Sequence, residues 1–195
     1  MDGSKSDIIT NMRISLKKAH VCGIPEYIKK LQDNSNNNEN FEDFRLEGKA
    51  ALVFSQAGFC VTLRDAPDLS LRFNNEQLYA EVKHFREGKH AWEEVYDVAK
   101  KKLYQYKEHA PNILVIESSS ACIEDTEVPA TINTINEDVR SGKCPEFAKL
   151  NGILLTTLGW YNISQKRQGY FRRTSNPAVS LSRELFWLLD EIRLG

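Results

Sequence analysis

The sequence predicts an α/β fold in which a mixed central sheet is flanked by helices, and three observations carry that expectation. Residues 68–83 alternate apolar and polar side chains about a turn, as a hairpin with one buried face does. Ile113-Leu114-Val115-Ile116 and Gly152-Ile153-Leu154-Leu155 are unbroken apolar runs, the pattern of strands covered on both faces. Around these strands apolar residues recur at helical spacing, and helices alternating with strands bury their stripes by packing on a shared sheet.

The elements follow in chain order. Residues 1–33 form an expected N-terminal helical extension: Ile8, Ile9, Met12, Leu16 and Ala19 lie at helical spacing, Gly23 to Pro25 interrupts them, and Tyr27, Ile28 and Leu31 resume the stripe. Such a stripe packs onto the main domain or onto a partner chain. Residues 34–40 are Asn-rich, contain no apolar side chain and are expected to be a linker. The main domain, residues 41–195, opens with a helix from Phe41 to about Gln56 whose Phe44, Ala51 and Phe54 form an apolar stripe. Three strands are expected between Phe59 and Phe85. Next comes a helix over Trp92 to Glu108, packed through Val95, Val98 or Ala99, and Leu103. Beyond the strand at Ile113, Ile132, Ile135 and Val139 mark another helix, and the strand at Gly152 follows it. Between Trp160 and Pro177, Lys166, Arg167, Arg172 and Arg173 surround Gln168-Gly169-Tyr170-Phe171, either as a hairpin with a basic tip or as a charged, solvated edge. A last helix, opening near Ser180, turns Leu181, Leu185, Leu188, Leu189 and Ile192 inward.

The chemistry lies on the hairpin. Leu69, Leu71 and Phe73 alternate with Asp68, Ser70 and Arg72, while Leu78, Ala80 and Val82 alternate with Tyr79, Glu81 and Lys83. If Asn74-Asn75 is a two-residue loop, Phe73 pairs with Glu76 and Asp68 falls opposite Glu81. A four-residue loop sets Asp68 opposite Lys83 instead. Either way Asp68, Glu81 and Lys83 share a face, because a shift of two residues preserves the side-chain period. Two carboxylates held together repel unless a cation lies between them, and Mg²⁺ accepts that oxygen-rich setting while keeping waters for chemistry. A neighbouring ammonium then positions or deprotonates one of those waters, an arrangement that suits phosphodiester hydrolysis. The Glu-x-Lys spacing recurs at Glu47-Gly48-Lys49 and Glu87-Gly88-Lys89, so the triplet has weight only with Asp68 beside it. The competing account is an amphipathic hairpin with solvated charges. Glu47 adds to the case, because it lies on the apolar stripe three residues after Phe44 and four before Ala51. It either reaches solvent at the edge of the stripe or faces a metal or a metal-bound water.

The order of a helix bearing Glu47, a strand, Pro67-Asp68, Glu81-Val82-Lys83 and a long helix resembles the PD-(D/E)XK, restriction-endonuclease-like nuclease superfamily over roughly Phe41 to Glu117. That resemblance implies an αβββαβ core within a nuclease-like domain, with Asp68 and Glu81 as metal ligands and the Val82 carbonyl as a possible third. It implies Lys83 as the catalytic lysine, Glu47 as the helix-borne acid that binds a second metal or an outer-shell water, and Mg²⁺ or Mn²⁺ as the cofactor. Gln105 corresponds to a glutamine that orients a phosphate or a water, with a surface amide as its alternative. Arg45 to Arg64 and Leu78 to Phe85 also resemble an uncharacterised bacterial group of such nuclease-like proteins.

Metal-dependent hydrolysis of phosphodiester bonds is therefore the expected function, with DNA preferred to RNA as partner. Basic residues interleaved with aromatics suit a phosphate backbone, which makes Lys166, Arg167, Arg172 and Arg173 candidate contacts. Lys101 or Lys102, from a lysine run that is more often a solvated face, is another. The alternative from a different class is a non-catalytic nucleic-acid-binding or scaffold module that retains the fold. A homodimer built on the N-terminal helices would suit an enzyme that makes two cuts.

Composition bounds these expectations. A chain of 195 residues suits one domain with a full core, and a net charge of −1 argues against a broadly basic protein that coats DNA. Salt sensitivity should accordingly be modest. Cys22, Cys60, Cys122 and Cys144 form no Cys-x-x-Cys pair, Cys60 is expected to pack within a strand, and neither zinc nor a disulfide framework is expected. His20, His84, His90 and His109 lack metal-ligand spacing, and alternation turns His84 away from the face of Lys83. No apolar run is long enough for a membrane span and Met1 to Ser6 is polar, so a cytoplasmic protein with no membrane partner is expected.

Overall fold

Among the described residues six strands form one mixed sheet in the order β1-β2-β3-β4-β5-β6. The computed structural model describes residues 4–85, 100–101, 113–118, 127–144, 149–156, 170–173 and 181–192. Three helices come first, α1 (Lys5–Lys18), α2 (Ile24–Asp33) and α3 (Asn38–Gln56). They are followed by β1 (Cys60–Leu63), β2 (Leu69–Phe73), β3 (Glu76–Phe85), β4 (Ile113–Ser118), α4 (Glu127–Ser141), β5 (Gly152–Thr156), β6 (Tyr170–Arg173) and α5 (Arg183–Glu191). β1, β2 and β3 are antiparallel, β3, β4 and β5 are parallel, and β6 closes the sheet antiparallel to β5. The expected α/β class with a mixed sheet is thus observed. Of the expected helix over Trp92 to Glu108, Lys100 and Lys101 are described and are helical, and its other residues lie outside the described ones.

The hairpin takes the tighter of its two possible registers. Phe73 pairs with Glu76, Leu71 with Leu78 and Leu69 with Ala80, so Asn74-Asn75 is the whole loop. Asn74 sits at φ 52°, a left-handed conformation that asparagine tolerates better than most side chains. β4 continues the sheet on the other side of β3, with Val82 beside Val115, and its Ile113 to Ile116 are all buried, as a central parallel strand requires.

The N-terminal helices belong to the same core as the sheet. Ile9, Met12 and Leu16 of α1 and Tyr27, Ile28 and Leu31 of α2 join Phe41, Leu46, Ala50, Ala51 and Phe54 of α3, which pack on Leu69, Leu71, Leu78, Ala80 and Val82. The apolar stripe of residues 8–31 is therefore used within this chain. Backbone bonding ties it in further: the Cys22 N–H donates to Val61 O at 2.9 Å and the Leu63 N–H donates to Cys22 O at 3.0 Å, which covers part of the outer edge of β1.

Three local expectations change. The Asn-rich stretch is shorter than a linker of residues 34–40, because α3 begins at Asn38. The Asn37 side chain accepts from the Glu39 and Asn40 N–H groups, and Asn34 follows the last turn of α2, its side-chain amide donating to Lys30 O at 2.9 Å. These asparagines terminate helices, a role for which their short amides are well suited. Cys60 lies in β1 as expected but is exposed, since alternation sends Val61 and Leu63 inward instead. The last helix starts slightly later than Ser180, with Ser182 as its cap accepting from the Leu185 N–H at 3.2 Å. The Glu76 carboxylate, at the start of β3, accepts from the Ser182 N–H at 2.9 Å and from its hydroxyl, and Leu185, Leu189 and Ile192 enter the core. In α4, the side chains of Ile132 and Ile135 lie outside the described residues, while Val139 is half-buried. Among the described residues no helix is long and apolar enough to cross a membrane.

Gly48 sets how closely α2 approaches α3. A Cβ there would lie 2.1 Å from the Tyr27 hydroxyl oxygen and 2.9 Å from the Met12 sulfur. The Tyr27 hydroxyl is itself held, donating to Phe44 O at 2.8 Å, and burial followed by the charge of Glu47 pushes its pKa upward, so it remains a donor. At an open helical position Gly→Ala stabilises by roughly 0.5–1 kcal/mol. Gly48→Ala is expected to do the reverse and destabilise by about 1–3 kcal/mol through overpacking, as read by urea unfolding. A gain in stability would show that α2 and α3 have room to separate.

Candidate active site

β2 and β3 deliver two carboxylates to one place. Pairing of the strands runs to Leu69 and Ala80, and Asp68 lies one residue beyond that last pair, level with Glu81. Its carboxylate is fixed there, because Oδ2 accepts the Val82 N–H at 2.8 Å, while its backbone carbonyl accepts the Arg64 N–H at 2.9 Å. One hydrogen bond thus orients Asp68 against the strand that carries Glu81 and Lys83. Two residues apart on β3, Glu81 and Lys83 share a face, and the Lys83 ammonium stands 3.4 Å from Glu81 Oε1. His84 turns to the other face, where its Nδ1 lies 4.0 Å from Asp43 Oδ1 on α3.

Glu47 completes the cluster from α3. Its residue exposure is 7%, against 7% for Asp68 and 1% for Glu81, which rules out a glutamate that reaches bulk water from the edge of its stripe. Burial first, then the negative charge of Asp68 and, to a lesser degree, that of Glu81, push its carboxyl up to about 9. Lys30 and Lys83 oppose that rise. Two acids and two lysines therefore act on Glu47.

Lys30, on α2, is the member that sequence reasoning missed. Its ammonium is 2.8 Å from Asp65 Oδ1 and 5.4 Å from the Phe44 ring centroid. Burial alone would lower its pKa, but the hydrogen bond it donates to Asp65 and the charges of Glu47, Asp65 and Asp68 outweigh that and hold it above the ordinary lysine value. The available signal was its position three residues after Tyr27, at the border of the α2 stripe.

Gln105, Lys102, Lys166 and Arg167 lie outside the described residues. Arg172 and Arg173 are in β6, paired with Ile153 and Gly152. Tyr170 pairs with Leu155, so β6 lies antiparallel to β5, and the rest of the segment from Trp160 to Pro177 lies outside the described residues. β6 is the third strand from β3, about 14 Å along the sheet at ordinary strand spacing.

No protein family, curated protein or solved structure matches this chain, so the geometry itself has to carry the functional reading. Among the described residues no group of three or more His, Cys, Asp or Glu side chains is arranged to cage a metal ion. A pair of oxygen ligands is a different matter. Mg²⁺ is ordinarily held by one or two carboxylates and completes its shell with waters and substrate oxygens, and Asp68 with Glu81 suits that donor set.

The raised Glu47 pKa has a measurable sign. Its folded value of about 9 lies above the ordinary 4.5, so the folded protein holds a proton that the unfolded chain has released. The associated stability is fully present below about 4.5 and is lost as pH rises through about 9. In chelator-treated protein the melting temperature should therefore fall from pH 6 to pH 9 more steeply than in Glu47→Gln. Parallel melting curves for the two proteins would show that Glu47 is ionised at neutral pH.

Proposed function

We propose that this chain is a Mg²⁺- or Mn²⁺-dependent nuclease that hydrolyses phosphodiester bonds, with DNA as the preferred substrate. The observation that carries the proposal is the burial of Glu47, Asp68 and Glu81 together beside Lys83. Three acidic side chains drawn out of water together, one of them kept protonated by its surroundings, cost the fold free energy that a bound cation would offset. The order of elements lends further support: a helix with its acid, three antiparallel strands and a fourth strand parallel to the third are compatible with the restriction-endonuclease-like αβββαβ pattern.

Asp68 and Glu81 would hold the ion, which when bound supplies Lewis acidity toward the phosphoryl oxygen and a more acidic water. The protein's own groups do the rest. The Val82 N–H keeps Asp68 oriented, so little rearrangement of that carboxylate is needed at the moment of reaction. Lys83, half-exposed at the rim of the cluster, holds a water by hydrogen bonding and offsets negative charge that develops on the phosphate. Glu47, protonated at neutral pH in the absence of a cation, takes an outer-shell water or a second ion.

Incubation of purified protein with plasmid, single-stranded DNA and RNA in Mn²⁺ or Mg²⁺ tests the proposal. Wild-type protein is expected to cleave, Lys83→Ala to be slower by roughly 10²-fold or more, and excess chelator to abolish cleavage. Cleavage indistinguishable from the Lys83→Ala control would remove the catalytic claim. Metal-independent nucleic-acid affinity that survives Asp68→Asn would favour a binding module instead.

A further inference from the structure

A second charged cleft adjoins the carboxylate cluster. It has a volume of about 430 Å³, and Glu26, Tyr27, Lys30, Leu63, Arg64 and Asp65 line its walls. The short segment from Arg64 to Asp68 joins it to the site: the Lys30 ammonium is 3.4 Å from Arg64 O, and the Arg64 N–H donates to Asp68 O. The Arg64 guanidinium lies over the Tyr79 ring, 5.3 Å from its centroid. Tyr79 precedes Glu81 by two residues on β3, so Arg64 is held on the face of the sheet that carries Glu81 and Lys83.

We propose that Lys30 and Arg64 form a phosphate subsite, which takes the phosphodiester next to the one undergoing hydrolysis. This proposal rests on the nuclease reading of the adjoining cluster. Stacking on Tyr79 restrains the guanidinium without occupying its N–H donors, and a planar fork of donors matches two non-bridging phosphate oxygens. Lys30 contributes a point charge from α2. In the free protein its partner is Asp65, whose side chain is 87% exposed, and an ion pair so open to solvent exchanges readily for another anion. Asp65 therefore competes with the strand for Lys30. Glu26 on the same cleft opposes phosphate as well, so the subsite steers one backbone position and does not attract nucleic acid at large.

That competition gives the test two opposite signs. Affinity for a single-stranded DNA oligonucleotide is measured by fluorescence anisotropy in Ca²⁺, across a salt series, with melting temperature as the folding control. Lys30→Gln should bind several-fold more weakly, and the slope of log affinity against log salt should flatten by about 0.7, the loss of one phosphate contact. Arg64→Gln should weaken binding similarly. Asp65→Asn should bind several-fold more tightly, because Lys30 is released. Unchanged affinity and slope in folded Lys30→Gln overturns the subsite, as does an absence of binding by the wild-type protein. Failure of the nuclease reading is distinct: there DNA stays intact in Mn²⁺ while Lys30→Gln still loses affinity.

Discussion

The β2–β3 register is the constraint on which the rest of the molecule depends. Because Asn74 accepts a left-handed backbone, the loop closes in two residues and Leu69, Leu71, Leu78, Ala80 and Val82 fall on the face that α3 covers. The same register sets Asp68 level with Glu81 and within hydrogen-bonding distance of the Val82 N–H. A slip by one residue would turn the aliphatic set to the opposite face and separate the carboxylates in the same move. Core and candidate site are therefore not independent features. Whatever holds the hairpin in register also holds the acids together.

α3 reads out that register from the other side. It meets the sheet through Phe41, Ala50, Ala51 and Phe54, and Gly48 lets Tyr27 and Met12 of the preceding helices approach its backbone closely. Glu47, adjacent to that glycine, is carried into a zone with little water, where neighbouring negative charge has a larger effect than it would in solvent. The N-terminal helices thus contribute to the electrostatics of the site as well as to the core. Lys30 reaches the cluster only because α2 is packed where it is.

Much of this was legible in the sequence, for identifiable reasons. Alternation over residues 68–83 fixed the shared face of Asp68, Glu81 and Lys83 whichever loop length held, and helical spacing put Glu47 on a buried stripe. Both are periodic signals, and they survive errors in element boundaries. The choice between a two-residue and a four-residue loop was not legible, because two adjacent asparagines suit either. Lys30 was hidden for a different reason: its role arises from how α2 docks on residues distant in the chain, and local spacing carries no trace of that. In the sequence Gly48 is only the middle of an uninformative Glu-x-Lys copy, although it is the residue whose missing side chain lets the helices meet. Composition makes the Asn-rich stretch resemble a linker, whereas its chemistry is that of helix ends at Asn34 and Asn37.

How three carboxylates coexist in one core follows from their protonation. Lys30 is already paired with Asp65, so among the ionisable groups around Glu47 the carboxyls outnumber the ammonium groups. The shift of Glu47 to about 9 means that at neutral pH it keeps its proton, which removes one negative charge from that crowded region. A buried acid that stays neutral avoids the large desolvation penalty of an uncompensated ion. The same proton makes the arrangement responsive. A divalent cation beside Asp68 and Glu81 would reverse the sign of the local field and lower the Glu47 pKa, so that the acid ionises when there is positive charge for it to face. The protonation of Glu47 would thus respond to a cation through a single titratable group on the helix that packs against the hairpin.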